Sequence, residues 1–350
     1  MIGNITVQDI EQGRLKMPFL QKPAWLKVQK ADPTHQRLSW LIDTSQTPEK
    51  RKTNGENTKL KLLHNLYMNG SLKKATDGFI TVSNPTNGGD FQAISVPSDI
   101  FPGLVQALHL KLNHPSKAQL QRLCSRYFYT PGNARIIDEI SMKCSTCASL
   151  RQLPKEIFSE STEINETFGS HFSADVIRRE GQKILLVREK LSQFTITSLI
   201  PDETAHSLGD TLIASVIEFI PNDGAIIQVD NAPGFQTLKS ESVMPGSLLN
   251  KFRINIDLGR VLNKNRNPVA ENGIKEFHKE CLRMIPTGGP LNKVQLAAIT
   301  KNMNGRIRDR GFSSKEMAFR RDTITNENTN TQDGHLALEN TTNEPQDTRQ

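Results

Sequence analysis

Two histidines and two cysteines set the strictest condition on how this chain folds. Four residues separate His109 from His114, 29 more precede Cys144, and two separate Cys144 from Cys147. Two imidazoles and two thiolates make a complete tetrahedral set for a structural Zn²⁺. Cys-x-x-Cys lets both thiolates grip one ion from a tight turn. His109 and His114 lie one helical turn plus one residue apart, which puts His114 at the frayed end of its helix, just before Pro115. Helices between the two pairs would form a small bundle around the ion. Such a core is too small to fold well alone, so metal binding contributes folding free energy. Four protein ligands leave no open position, and the site reads as structural. The plainer alternative is a redox or incidental cysteine pair beside two surface histidines. Cys124, within LQRLCSRYF, and Cys281 read as helix-packing residues.

Around this module the 350-residue chain is long enough for two or three domains. Residues 1–59 are polar and read as linker or disorder. Residues 60–100 contain LLHNLYMNGSL, GFITVSN and DFQAISVP, broken by Asn-Gly, Asp-Gly and Gly-Gly, which read as a short β-rich extension. Residues 101–152 carry apolar residues at helical spacing, with Ser116 as a cap, and hold the four candidate ligands. Residues 165–320 alternate between types. FSADVIRR, QKILLVREKL and FTITSLIP read as strands, ETAHSLGDTLIASVIEFIP as a helix, AIIQVD as a buried strand, and about Ala270 to Met284 as another helix. That order predicts a mixed α/β core ending in basic helices. Residues 293–321 hold eight Lys/Arg against two acids, whereas 321–350 are acidic, polar and read as disordered.

No run approaches the roughly 18 consecutive apolar residues of a membrane span, and no secretory signal is visible at the N-terminus. The net charge of +7 favours polyanionic partners, since Lys and Arg that contact phosphates release condensed counterions.

Three acids stand out in the α/β region. Asp175 lies in its first strand, Asp230 ends the strand AIIQVD before Asn-Ala-Pro-Gly, and Glu276 lies on the helix that follows Pro268. Carboxylates from two strands and one helix could converge on one or two Mg²⁺ ions, hard cations that prefer oxygen ligands. Two such ions suit an in-line phosphoryl displacement. Each acid taken singly is an ordinary surface charge; their order and their elements make the constellation.

These residues together resemble the integrases of retroviruses and long-terminal-repeat retrotransposons, gypsy-like elements in particular. The resemblance covers about residues 60–310 and rests on His109-x4-His114-x29-Cys144-x2-Cys147, on Asp230-Asn231, and on Asn272-Gly273-Ile274-Lys275-Glu276. It implies an RNase H-like integrase core, preceded by a helical zinc domain and a β-rich extension. It implies metal-dependent 3′ processing of element DNA and strand transfer into target DNA, with Mg²⁺ or Mn²⁺ held by Asp175, Asp230 and Glu276. It also implies DNA element ends and target duplex as partners, a homo-oligomer, and a nuclear site of action with a cytoplasmic stage before it. Lys275, Lys279 and Arg283 beside the third acid, and Arg306, Arg308 and Arg310 beyond it, become candidate phosphate contacts.

Three departures bear on these expectations. Asp230 and Glu276 have 45 residues between them, wider than the family's usual spacing, and a surface insertion such as 241–249 would absorb the excess. Ala-Pro-Gly follows Asp230-Asn231 where the family has Gly. Glu271 competes for the third position: it leaves 40 intervening residues, but lies in the first helical turn, where an acid also favours the helix dipole. The family's C-terminal β-barrel finds no counterpart in 322–350. The alternative function is accordingly a truncated, catalytically inactive integrase derivative that binds or scaffolds nucleic acid.

Overall fold

In a computed structural model the described residues are 22–48, 55–83, 92–151, 167–259, 267–308, 311–323 and 328. Arg310 and most of 321–350 lie outside them. The described chain divides into two compact units, the first drawn from residues 22–151 with 307–308, 311 and 322–323, the second from 167–306 with 312–321. No helix among the described residues is long and apolar enough to cross a membrane.

The first unit opens with α1 (Lys22–Ala31), α2 (Pro33–Asp43) and α3 (Gly55–Met68). The linker expected over 1–59 is thus replaced at 22–43 by two helices, and 62–68 is helical instead of β-rich. Few residues carry this, which is why the composition hides it. Asp32 caps α2 ahead of Pro33, and Trp25, Leu38 and Leu41 are buried. Asn69-Gly70 ends α3, where Gly70 takes a φ of 78°, instead of turning a hairpin. Strands β1 (Leu72–Lys74), β2 (Ile80–Ser83) and β3 (Gln92–Ser95) run antiparallel to one another, and β4 (Phe128–Tyr129) joins β3 in parallel.

Buried Gln29 ties α1 to this sheet. Its side chain donates to the carbonyls of Ile80 and Ser95 at 2.8 and 2.7 Å and accepts from Ile80 N–H at 2.9 Å. Asp32, His35 and Ser95 form a relay, with His35 Nδ1 2.6 Å from Asp32 and His35 Nε2 2.9 Å from Ser95 Oγ. The relay has the membership of a hydrolase triad, but Ser95 is 1% exposed, so no substrate reaches its hydroxyl. It braces the helix pair against β3.

Four helices complete the unit: α4 (Phe101–Lys111), α5 (Lys117–Tyr127), α6 (Asn133–Lys143) and α7 (Ser145–Arg151). Ser116 and Gln119 form a reciprocal capping box at the start of α5. Leu104, Leu108, Leu120, Leu123, Cys124 and Ile137 bury into one cluster that also takes in Trp25 and Val96. These helices therefore share their core with α1 and β3.

The second unit is built on a five-stranded sheet. Its strands are β5 (His171–Arg179), β6 (Gln182–Glu189), β7 (Thr195–Ile200), β8 (Ala225–Val229) and β9 (Ile254–Leu258), in spatial order β7-β6-β5-β8-β9. The first three are antiparallel; β8 and β9 run parallel to β5. Alternation along the strands divides the sheet into two faces. Phe172, Ala174, Leu185, Val187, Ile227 and Val229 pack with α8 (Ala205–Val216), α9 (Pro233–Ser242) and α10 (Leu248–Lys251). Ile177, Ile184 and Leu186 pack on the other side with α11 (Pro268–Met284) and α12 (Lys293–Gly305). A short α13 (Ser314–Phe319) follows. The core is mixed α/β, with helices on both faces of a mixed sheet. The basic stretch 293–321 contains α12 and α13.

Candidate functional site

The geometry of the acids starts from strand register. In the parallel ladder His171 lies opposite Ile226 and Ser173 opposite Gln228. Continued two residues past its last pair, the same offset would bring Asp175 opposite Asp230, the first residue after β8. Neighbouring strands lie about 4.8 Å apart, so the two carboxyl-bearing positions stand side by side just beyond the ladder's last rungs. Asp175 shares its face of β5 with Ser173 and Ile177, the face that α11 covers. Asp230 follows the last residue of β8, and its carboxylate accepts from Ala232 N–H at 3.2 Å, shaping the turn into α9.

The start of α11 is pinned over these same rungs. Buried Asn267 donates to the carbonyl of Ala174 at 3.1 Å and to that of Gln228 at 3.2 Å. Its side-chain oxygen meanwhile accepts from Ala270 N–H and caps the helix. One side chain thus bridges β5, β8 and the helix start, and Glu271 sits in the first turn of the helix so placed.

Electrostatics agree with this placement. Burial pushes the Asp175 carboxyl up to about 6 from an ordinary 3.8. The Val176 N–H, 2.7 Å away, pulls it down, while the negative charges of Asp230 and Glu271 push it further up. Asp175 therefore feels Glu271 as a near neighbour.

Glu276 is placed differently from the sequence expectation. Five residues beyond Glu271, it is displaced by about 7.5 Å along the helix and turned well over a quarter circle from it. There it accepts from Arg188 Nη2 at 3.0 Å. Arg188 is 1% exposed and also donates to Gln193 at 2.9 Å. A buried guanidinium requires a counterion, and Glu276 supplies it. Close packing explains the meeting: a Cβ on Gly273 would lie 3.0–3.2 Å from Leu186 and Arg188.

Two of the candidate phosphate contacts are also placed elsewhere. Arg283 and Arg306 both pair with Glu280, which is 1% exposed. Burial lowers the Arg306 guanidinium to about 10, against the pull of Glu280. These two arginines neutralise an interior acid. Lys275, Lys279 and Arg308 are half-buried. Lys275 lies one turn beyond Glu271 on the same face of α11.

The four candidate zinc ligands come together in the first unit. Among the described residues, theirs is the group of His, Cys, Asp and Glu side chains drawn closely enough to share one ion, with all ligand atoms within 4.8 Å. His109 ends α4, and two consecutive left-handed residues, Asn113 and His114, fold the chain back. His114 N–H then bonds the His109 carbonyl at 2.8 Å. His114 Nδ1 lies 3.1 Å from His109 Nε2 and 3.2 Å from Cys144 Sγ, and Cys147 Sγ lies 3.3 Å from His109 Nε2. Bonds of about 2.0–2.3 Å to a tetrahedral zinc would give edges of roughly 3.3–3.8 Å, so the donors fit that ion with small adjustments. Cys144 leaves α6 in extended conformation and Cys147 lies in α7, so one turn presents both thiols.

No protein-family model and no curated protein sequence matches the chain. Among solved structures it is similar to the catalytic core domain of BIV integrase, at 19% identity and a TM-score of 0.35, over 43% of this chain and 93% of that one.

Asn267-Pro268 reads in the sequence as the start of this helix, but Asn267 does not read there as a bridge to the strands; nothing in the sequence marks Arg188 as buried.

A stability effect follows from Asp175. In the fold its carboxyl keeps its proton to higher pH than in the unfolded chain, so the native state binds more protons between about pH 4 and 6. Without Mg²⁺, stability of the second unit falls as pH rises through that window and levels off above it. Asp175→Asn removes the ionisation and is expected to stabilise this unit at pH 7 by up to about 3 kcal/mol. Urea titrations at pH 4 and pH 7 test this; equal stability of variant and wild type at pH 7 contradicts it.

Proposed function

We propose that the second unit is the catalytic core of a DNA integrase, a metal-dependent polynucleotidyl transferase with an RNase H-like fold. The observation that carries this reading is the coincidence of three acids. Asp175 and Asp230 stand just past the end of the parallel β5–β8 ladder, and Asn267 fastens the first turn of α11, with Glu271, over that end. We take Glu271 as the third acid in place of Glu276. The resemblance of the zinc spacing and of Asp230-Asn231 to retroviral and gypsy-like integrases supports the same reading.

The acids fit divalent cations by chemistry. Three carboxylates around a partly buried position repel one another, adding to the burial that raises Asp175, and a hard cation relieves both. Bound there, Mg²⁺ or Mn²⁺ would activate an attacking oxygen and stabilise the leaving oxygen of the phosphodiester. The chain itself contributes anionic oxygens on fixed elements: β5, the end of β8 and a capped helix start. Fixed placement keeps the site organised as the attacking group changes from water, which frees a 3′ end, to that 3′ hydroxyl, which joins target DNA. His109, His114, Cys144 and Cys147 hold a structural zinc in this reading, and DNA is the partner.

Labelled duplex ends incubated with the purified chain and Mg²⁺ or Mn²⁺ test the proposal. It expects shortened 3′ ends and joined products, both lost in Asp175→Asn and Asp230→Asn. Duplex binding with no metal-dependent product in any condition would favour the non-catalytic, DNA-binding alternative.

A further inference from the structure

Beside the acids, β5 outruns its parallel neighbour. The ladder with β8 ends at Ser173 and Gln228, two residues short of Asp175 and Asp230, so Arg178 projects from a stretch of β5 that pairs with β6 alone. Its guanidinium donates through Nε and Nη2 to the two carboxylate oxygens of Glu203 at 2.8 and 2.7 Å. Glu203 belongs to the connection between β7 and α8, immediately before the cap Thr204. The turn after Asp230 rests on this connection: a Cβ on Gly234 would lie 2.4 Å from the Glu203 carbonyl oxygen and 2.7 Å from Leu208. The Arg178–Glu203 fork therefore stands between the strand that carries Asp175 and the turn that follows Asp230.

We propose that Arg178 and Glu203 form an exchangeable phosphate latch at the mouth of the acid site, in which a DNA phosphate displaces Glu203 from the Arg178 guanidinium. The inference rests on the reading of the second unit as a DNA-processing core. A guanidinium receives a carboxylate and a phosphate through the same two-pronged geometry, so Glu203 occupies the place a phosphate would take. The pair is open to water on the arginine side, where the Arg178 side chain is 74% exposed. Exposed pairs contribute little net free energy, so the exchange meets a small barrier in equilibrium terms. Arg178 also lies in the field of the acids: Glu203 chiefly, then Asp230 and Asp175, hold its charge more firmly than usual. It stands near the paired acids and forks onto a replaceable anion. While Glu203 is bound, the Arg178 charge is neutralised beside the acids. With Glu203 displaced, a cation faces the incoming strand and positions its backbone beside Asp175 and Asp230. Arg178 is thus a positioning residue.

The test reads binding of a fluorescein-labelled DNA duplex by anisotropy, over a range of KCl concentrations, without added Mg²⁺ or Mn²⁺. Arg178→Ala is expected to weaken binding several-fold and to reduce the slope of log affinity against log salt by about 0.9, one phosphate's worth of released counterion. Arg178→Lys keeps the charge and restores the slope. Glu203→Gln tightens binding several-fold when Arg178 is present and has no effect in the Arg178→Ala background. An unchanged slope in Arg178→Ala, or an equal effect of Glu203→Gln with and without Arg178, overturns the latch. Metal-dependent product that disappears in Asp230→Asn keeps the core reading when the latch fails in this way. A wild type that binds no duplex overturns both.

Discussion

Removing zinc is expected to unfold the first unit and spare the second. His109, His114, Cys144 and Cys147 join α4, the turn after it, α6 and α7. Structural zinc sites of this donor type carry an apparent binding free energy of roughly 10 kcal/mol or more, comparable with the whole stability of a domain. The loss does not stop at the helices that hold the ion. Leu104, Leu108, Leu120 and Leu123 share one buried cluster with Trp25 and Val96, so α1 and the four-stranded sheet lose their support as well. The five-stranded sheet has its own cores on both faces and stays folded. Elemental analysis before chelation should find one zinc per chain. Hydrogen exchange after chelation should show loss of protection at 101–151 and 22–31, with β5 and β6 still protected. A chain that contains no zinc, or whose first unit keeps its protection after chelation, contradicts the assignment.

The second large effect separates two glutamates five residues apart. Glu271→Gln is expected to lower metal-dependent DNA processing by a factor on the order of 10³ or more, because it removes one anionic oxygen from a site whose work is to hold cations against developing phosphoryl charge. Its effect on stability should be small and favourable, since it removes a charge that repels Asp175. Glu276→Gln should keep activity to within about tenfold, the amide still accepting from Arg188. Glu276→Ala leaves Arg188 without this counterion. With the Glu276 side chain 29% exposed, that should cost about 2 kcal/mol, less than for a fully buried pair. Single-turnover rates and urea midpoints for the three variants distinguish the roles. An inactive Glu276→Gln beside an active Glu271→Gln reverses the assignment.

Much of the second unit was legible because its strands and helices repeat at different periods. FSADVIRR, QKILLVREKL, FTITSLIP and AIIQVD all correspond to strands of the sheet. The fifth strand, INIDL, escaped because it is short, half its residues face outward, and it follows a stretch read as insertion. Spacing along the chain pointed to Glu276, whereas the proposed third acid, Glu271, rests on the placement of one side chain. Asn267 seats the helix start by bonding two carbonyls that no sequence pattern reveals. Charge misled in a related way. Arg283 and Arg306 look like a phosphate footprint until Glu280 is found buried between them. At the group of two histidines and two cysteines the residue types and their spacing were readable, while the left-handed pair Asn113-His114 that aims the second imidazole was not.

Asp175, Asp230 and Glu271 are proposed to act together as a divalent-cation site. Anomalous diffraction from crystals soaked in Mn²⁺ would locate the ion. The expected result is manganese density bounded by the carboxylates of Asp175, Asp230 and Glu271, with Glu276 still on Arg188. Manganese bound through Glu276, or no manganese at these acids at millimolar concentration, would contradict it.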